Sequence, residues 1–136
     1  MLSALLSMTT RLLGAANTLT DYDQGMVFHQ AGDYEQAAPL MKKAAEAGYF
    51  NGATVYGSML LLGQGVPENG AEALQWLEFA ADGGHADAKS LLGMALATGK
   101  AGIKRDIPRA VRLLTECSAQ GDVKAVEMLK VIRKRR

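Results

Sequence analysis

The chain is poor in cysteine, histidine and proline, and each shortage excludes something. A single cysteine, Cys117, has no partner for an intramolecular disulfide, so no disulfide framework holds the fold. The two histidines, His29 and His85, have no cysteine or carboxylate at metal-ligand spacing, and His-Glu-x-x-His is absent, so no metal site is expected. No apolar run approaches the roughly 18 residues of a membrane span, so the chain is not expected to be transmembrane. The glycine-rich stretches 63–65 and 99–102 lack the following Lys-Ser/Thr of a phosphate cradle. No nucleophile stands beside a recognisable base. The sequence therefore predicts a protein that is not an enzyme, with no cofactor and no small-molecule substrate.

The charge distribution is uneven although the net charge is only +1. Residues 1–96 hold four basic side chains against ten acidic, and residues 97–136 hold eleven against four, giving −6 and +7. Two such halves can attract each other between molecules or offer unlike surfaces to a partner. The basic end, closing in Arg133-Lys134-Arg135-Arg136, could meet nucleic acid or anionic lipid. No aromatic follows Phe79, however, so that end lacks stacking platforms for single strands. Nucleic acid is not the expected partner.

What the chain does have is a segment that recurs three times. It ends Ala44-Ala45-Glu46-Ala47-Gly48, then Ala80-Ala81-Asp82-Gly83-Gly84, then Cys117-Ser118-Ala119-Gln120-Gly121, with closing glycines 36 and 37 residues apart. A fixed period of this length marks stacked helical pairs, each burying its apolar face only against its neighbours. Between Gly48 and Gly84 the chain reads as a helix over about 51–63, a Gly-x-Gly-Val-Pro loop, and a second helix opened by Asn69, with Glu72 completing a near capping box. Asp106 plays the cap in the third unit, with Pro108 in the first turn, and Asp33 with Gln36 does so in the first. Gly25, Gly57 and Gly93 recur on the first helices and Ala37, Ala73 and Ala110 on the second, where small residues let backbones approach. Cys117 takes the place of Ala44 and Ala80 and reads as a small buried residue. Leu2, Leu5, Leu6, Leu12 and Leu13 fall at helical spacing, so residues 2–16 read as an amphipathic helix packed on the first unit.

The run Gly52-x3-Tyr56-Gly57-x2-Leu60-x2-Gly63-x-Gly65-Val66-x2-Asn69-x3-Ala73-x2-Trp76-Leu77-x2-Ala80-Ala81-x2-Gly84-His85 resembles a Sel-one-like repeat (SLR), the longer-looped relative of the tetratricopeptide repeat. The third unit matches through Ala88, Leu92, Gly93, Gly99, Ile103, Asp106, Ala110, Leu113 and Gly121, and the first matches from Asp33 to Tyr49. Ala125 and Leu129 begin a fourth unit, where Lys130 replaces the glycine and makes a closing cap of the helix. The resemblance implies an all-α fold, a right-handed α-solenoid of about three helix pairs with capping helices at both ends. Its single domain, 1–136, divides into an N-terminal helix (1–19), repeats 20–48, 49–84 and 85–121, and a C-terminal helix (122–136).

It also implies function. Helix A of each repeat lines the concave side, so the expected partner-binding residues are Tyr22, Met26 and His29, then Asn51, Thr54, Ser58 and Leu61, then Asp87, Ser90, Met94 and Thr98. Such a strip suits a polypeptide partner, either a peptide segment held by an adaptor or a toxin domain neutralised by an immunity protein of bacterial style. The expected compartment is the cytoplasm, or the periplasm if the leading helix is a signal.

Overall fold

The computed structural model describes residues 17–135, with side-chain surroundings from residue 21 onward. Seven α-helices occupy them: α1 (Asn17–Gln30), α2 (Tyr34–Glu46), α3 (Phe50–Leu62), α4 (Gly70–Asp82), α5 (Ala86–Thr98), α6 (Ile107–Ala119) and α7 (Val123–Lys134). A 3-10 turn, Lys100–Gly102, lies between α5 and α6, and no strand occurs among the described residues. The amphipathic helix expected over residues 2–16 lies outside them.

The helices begin and end where local chemistry tells them to. Side chains of Asp33, Asn69, Asp106 and Asp122 accept from backbone N–H groups of Gln36, Glu72, Arg109 and Ala125, satisfying donors that an N-terminus leaves open. The cap residue's own N–H is used identically in each connection: Asp33 donates to Phe28, Asn69 to Leu60 and Asp106 to Leu96, at 2.9, 2.9 and 3.0 Å. Each second helix stops on a glycine with φ near +90°, namely Gly48, Gly84 and Gly121. The residue after it donates back five positions, Tyr49 to Ala44, His85 to Ala80 and Asp122 to Cys117, closing a Schellman turn. The period seen in the sequence is thus a period of capping chemistry.

Packing follows the same repeat. α1 packs on α2, α3 on α4 and α5 on α6, and each second helix then meets the first helix of the next pair. Within a pair the approach is set by glycine. A Cβ on Gly57 would lie 2.9 Å from Leu77 Cγ, and one on Gly93 would lie 2.9 Å from Leu114 Cγ. Leu77 and Leu114 are fully buried, as are Ala37, Ala73, Ala80 and Ala110. The core therefore runs as one strip from Ala37 to Ile132 rather than as a ball. Salt bridges cross the outer surface, Arg109 to Glu78 at 2.7 Å between α6 and α4, and Lys89 to Glu116 at 3.6 Å.

α7 ends the described stack. Ala125, Leu129 and Ile132 bury themselves against the preceding pair. Its outer face carries most of its charges: Lys130, at the place of Gly57 and Gly93, is exposed and pairs with Glu127 at 3.3 Å. A helix with one apolar stripe and one solvated face is what terminates a solenoid.

Candidate interaction groove

Stacking the pairs leaves a groove along the first helices, a cavity of about 690 Å³. His29 at the end of α1 flanks it on one side, and Gln120, Gly121 and Lys124 of the α6–α7 turn flank it on the other. Val55 and Ser58 of α3 with Asp87, Leu91 and Met94 of α5 form its walls, and Thr54, Ser90 and Cys117 its floor.

The floor is rigid because its polar groups are already paired. The Thr54 hydroxyl donates to Phe50 O at 2.8 Å and stands 3.0 Å from His85 Nδ1. That nitrogen also receives the Ala88 N–H as the N-cap of α5, and Nε2 lies 2.5 Å from Asn51 Oδ1. His85 is therefore a structural residue. Ser90 reaches Asp122, and this hydroxyl, with the backbone N–H groups of Ala125 and Lys124, holds the Asp122 carboxyl below the ordinary carboxylate range. No buried side-chain polar atom lacks a partner among the described residues.

Burial acts on Cys117 and on Tyr22. It pushes the Cys117 thiol up, with Asp122 and Glu116 adding to the effect, which disfavours the thiolate. It also raises the Tyr22 phenol, helped by Tyr49, Asp23 and Asp87. Tyr22 stacks edge-on against Tyr49 with ring centroids 5.1 Å apart. No three of the described His, Cys, Asp and Glu residues gather at a point where a metal could bind.

The groove collects His29, Thr54, Ser58, Asp87, Ser90 and Met94 of the expected strip. It treats the others differently. Leu61 is 6% exposed and belongs to the core, so it is corrected from a contact residue to a packing one. Thr54 and Ser90, both 5% exposed, are floor rather than contact surface: Thr54 spends its hydroxyl on Phe50 O one turn back in its own helix, and Ser90 turns its own to Asp122. Tyr22 and Met26 are half-buried against the core, and Asn51 is engaged with His85. Thr98 lies in a separate cleft.

Val55 and Leu91, one position further along their helices than Thr54 and Ser90, join Ser58, Asp87 and Met94 in the walls. The alternation of small and large side chains at 54/55 and 90/91 was the available signal, since the smaller member turns inward. The closing turn at 120–124 entered the groove through the stacking of α7, which no single repeat encodes.

The Sel1 repeat family model matches three segments, residues 20–49, 52–85 and 86–122. An F-box protein of Arabidopsis thaliana is 33% identical over 84 residues, which is 62% of this chain and 23% of that protein. The protective antigen c5321 of uropathogenic Escherichia coli, described as displaying an SLR fold, superposes with a TM-score of 0.80 at 25% identity over 96% of this chain and 28% of its own. A Sel1 repeat protein from Oxalobacter formigenes gives a TM-score of 0.69 at 28% identity, covering 77% of this chain and 41% of its own. The chain thus spans less than half the length of each of these relatives. Among the described residues no helix is long and apolar enough to cross a membrane. Three consecutive family matches on three helix pairs of an SLR solenoid leave one conclusion: this chain belongs to the Sel1 repeat family, whose repeats typically serve as protein-interaction modules.

Proposed function

We propose that the chain is a non-catalytic adaptor that holds a segment of a partner polypeptide in the groove between α1, α3, α5 and the start of α7. The observation carrying this reading is the groove's construction: a paired, rigid floor beneath walls of Val55, Leu91 and Met94, with His29, Ser58 and Asp87 left to contact. Apolar walls with a few convergent polar groups favour a ligand that buries side chains and fixes its direction by hydrogen bonds. Methionine adds an adaptable surface, suited to a segment whose sequence can vary.

Affinity capture from the source cells with the wild-type chain and with Ser58→Arg tests the reading. Ser58 is half-buried on the groove wall, so an arginine there fills the cavity without entering the core. A partner recovered by the wild type and lost with the variant is the expected result. Equal recovery by both would move binding elsewhere.

A further inference from the structure

A second cleft, about 430 Å³, opens where the C-terminal ends of α5 and α7 meet the start of α6. Its apolar lining is Ala97, Ile107, Met128, Val131 and Ile132, with Arg105 and Arg135 at the rim. The register of the repeats explains why it opens here. One repeat earlier the place of Ala97 is taken by Leu61, which is buried in the core, so the exchange of leucine for alanine removes the filling side chain. The same comparison puts Arg105 at the place of Glu68, so the rim is basic where its counterpart is acidic. Val131 is 44% exposed. Arg105 spends only its Nε, on the Thr98 carbonyl at 3.3 Å. Neither Arg105 nor Arg135 forms a salt bridge among the described residues, whereas Arg109 is committed to Glu78.

An apolar floor between two unpaired guanidinium groups fits an apolar side chain set beside a carboxylate. The opposite end of this chain presents that pair. Asp23 and Val27 stand four residues apart on α1, hence on one face, and both are exposed, Val27 at 66%. The first repeat, residues 20–48, holds five carboxylates against two lysines, while residues 97–136 hold eleven basic groups against four acidic. The leucine-striped residues 2–13 carry one charge, Arg11, and no carboxylate, so they do not complement the rim.

We propose that this cleft is a self-association site that receives the Asp23–Val27 face of α1 from a second copy of the chain, joining copies head to tail. The two surfaces differ, so the contact is heterologous and leaves a free cleft at one end and a free α1 face at the other. The contact is small, at the low end of specific interfaces, so association should be weak and sensitive to salt.

Sedimentation of the purified full chain from about 10 µM to about 1 mM at low salt tests this. The expected mass starts at the 14.5 kDa of one chain, rises with concentration, and falls back in about 0.5 M salt. Val27→Lys and Val131→Glu, both at exposed positions and checked for helicity, should each remain monomeric alone. Mixed, they should form a 1:1 pair that grows no further, because one retains the cleft and the other retains the α1 face. A wild-type chain that stays at one chain's mass throughout overturns the proposal. So does association that survives in Val131→Glu, or that is lost on Leu5→Glu but kept in Val27→Lys, since either places the contact elsewhere.

Discussion

His85 Nε2 lies 2.5 Å from Asn51 Oδ1, so the residue that caps the first helix of the third pair is tied to the first helix of the second. The same ring accepts the Ala88 N–H through Nδ1 and faces the buried Thr54 hydroxyl. One imidazole thereby sets the spacing of α3 and α5, the two helices that wall the groove.

Replacing His85 by alanine should destabilise the chain by about 1–2 kcal/mol, the combined loss of a cap and of a half-buried partner for Asn51. Chemical denaturation measures this directly. His85→Asn should recover part of the loss, because a short amide can still accept the Ala88 N–H. An alanine variant with an unshifted midpoint would show that the bridge contributes nothing.

Much of this architecture could be read from the chain because it rests on local chemistry. Gly48, Gly84 and Gly121 recur because each second helix ends in a left-handed turn, and Asp33, Asn69 and Asp106 because each begins on a side-chain cap. The groove was harder to read. Whether Thr54 or Val55 faces it depends on a rotation of α3 fixed by contacts to α4 and α5. Those contacts reach residues more than 30 positions away, such as His85. Leu61 and Ala97 look equally apolar in the sequence, yet one fills a core site and the other leaves a cleft. Differences between repeats, more than their likeness, mark the surfaces available for binding.

Gly57→Leu and Gly93→Leu should each cost about 1–3 kcal/mol, since even the first added carbon falls 2.9 Å from a buried leucine. Ala80→Leu, at a fully buried position, should behave likewise. Thermal melting checks all three. Unchanged melting temperatures would contradict the close approach within each pair.

Ala101 is the one non-glycine residue with positive φ among those described, at +58°. It occupies the register of Gly65, where a Cβ would overlap the Tyr34 carbonyl. Left-handed backbone costs an alanine about 1 kcal/mol, partly offset by the greater freedom of glycine in the unfolded chain. Ala101→Gly should therefore stabilise the chain by about 0.5 kcal/mol, and a lower melting temperature would show that the alanine side chain contributes packing there.

The Ser90–Asp122 contact predicts a pH dependence. The Asp122 carboxyl is held below its ordinary value first by the Ser90 hydroxyl and then by backbone N–H groups. A depressed folded pKa contributes stability that is fully present above the unfolded value, about pH 4, and is lost as pH falls through the lower folded value. Ser90→Ala should move the Asp122 titration upward and make stability fall less steeply in acid. Carboxyl NMR titration of both proteins reads the shift, and coincident curves would mean the hydroxyl does not act on Asp122.

The groove and the basic end make opposite predictions for a partner. Met94 and Leu91 are half-buried wall residues, and Asp87 is exposed beside them. If the partner lies in the groove, Met94→Ala or Leu91→Ala should weaken binding by more than about 1 kcal/mol with the fold intact, because apolar contact at a concave centre carries most of the binding energy. Added salt should change that affinity little, since the Asp122 carboxylate at the site is already engaged and the apolar walls are not screened. Binding through Arg133 and its neighbours would respond the other way, falling steeply with ionic strength and ignoring the wall substitutions. Titration calorimetry at about 0.05 M and about 0.5 M salt separates the two, because the spacing between charges at these concentrations is screened very differently. Silent wall variants together with a strong salt dependence would assign recognition to the basic end and leave the groove without a partner.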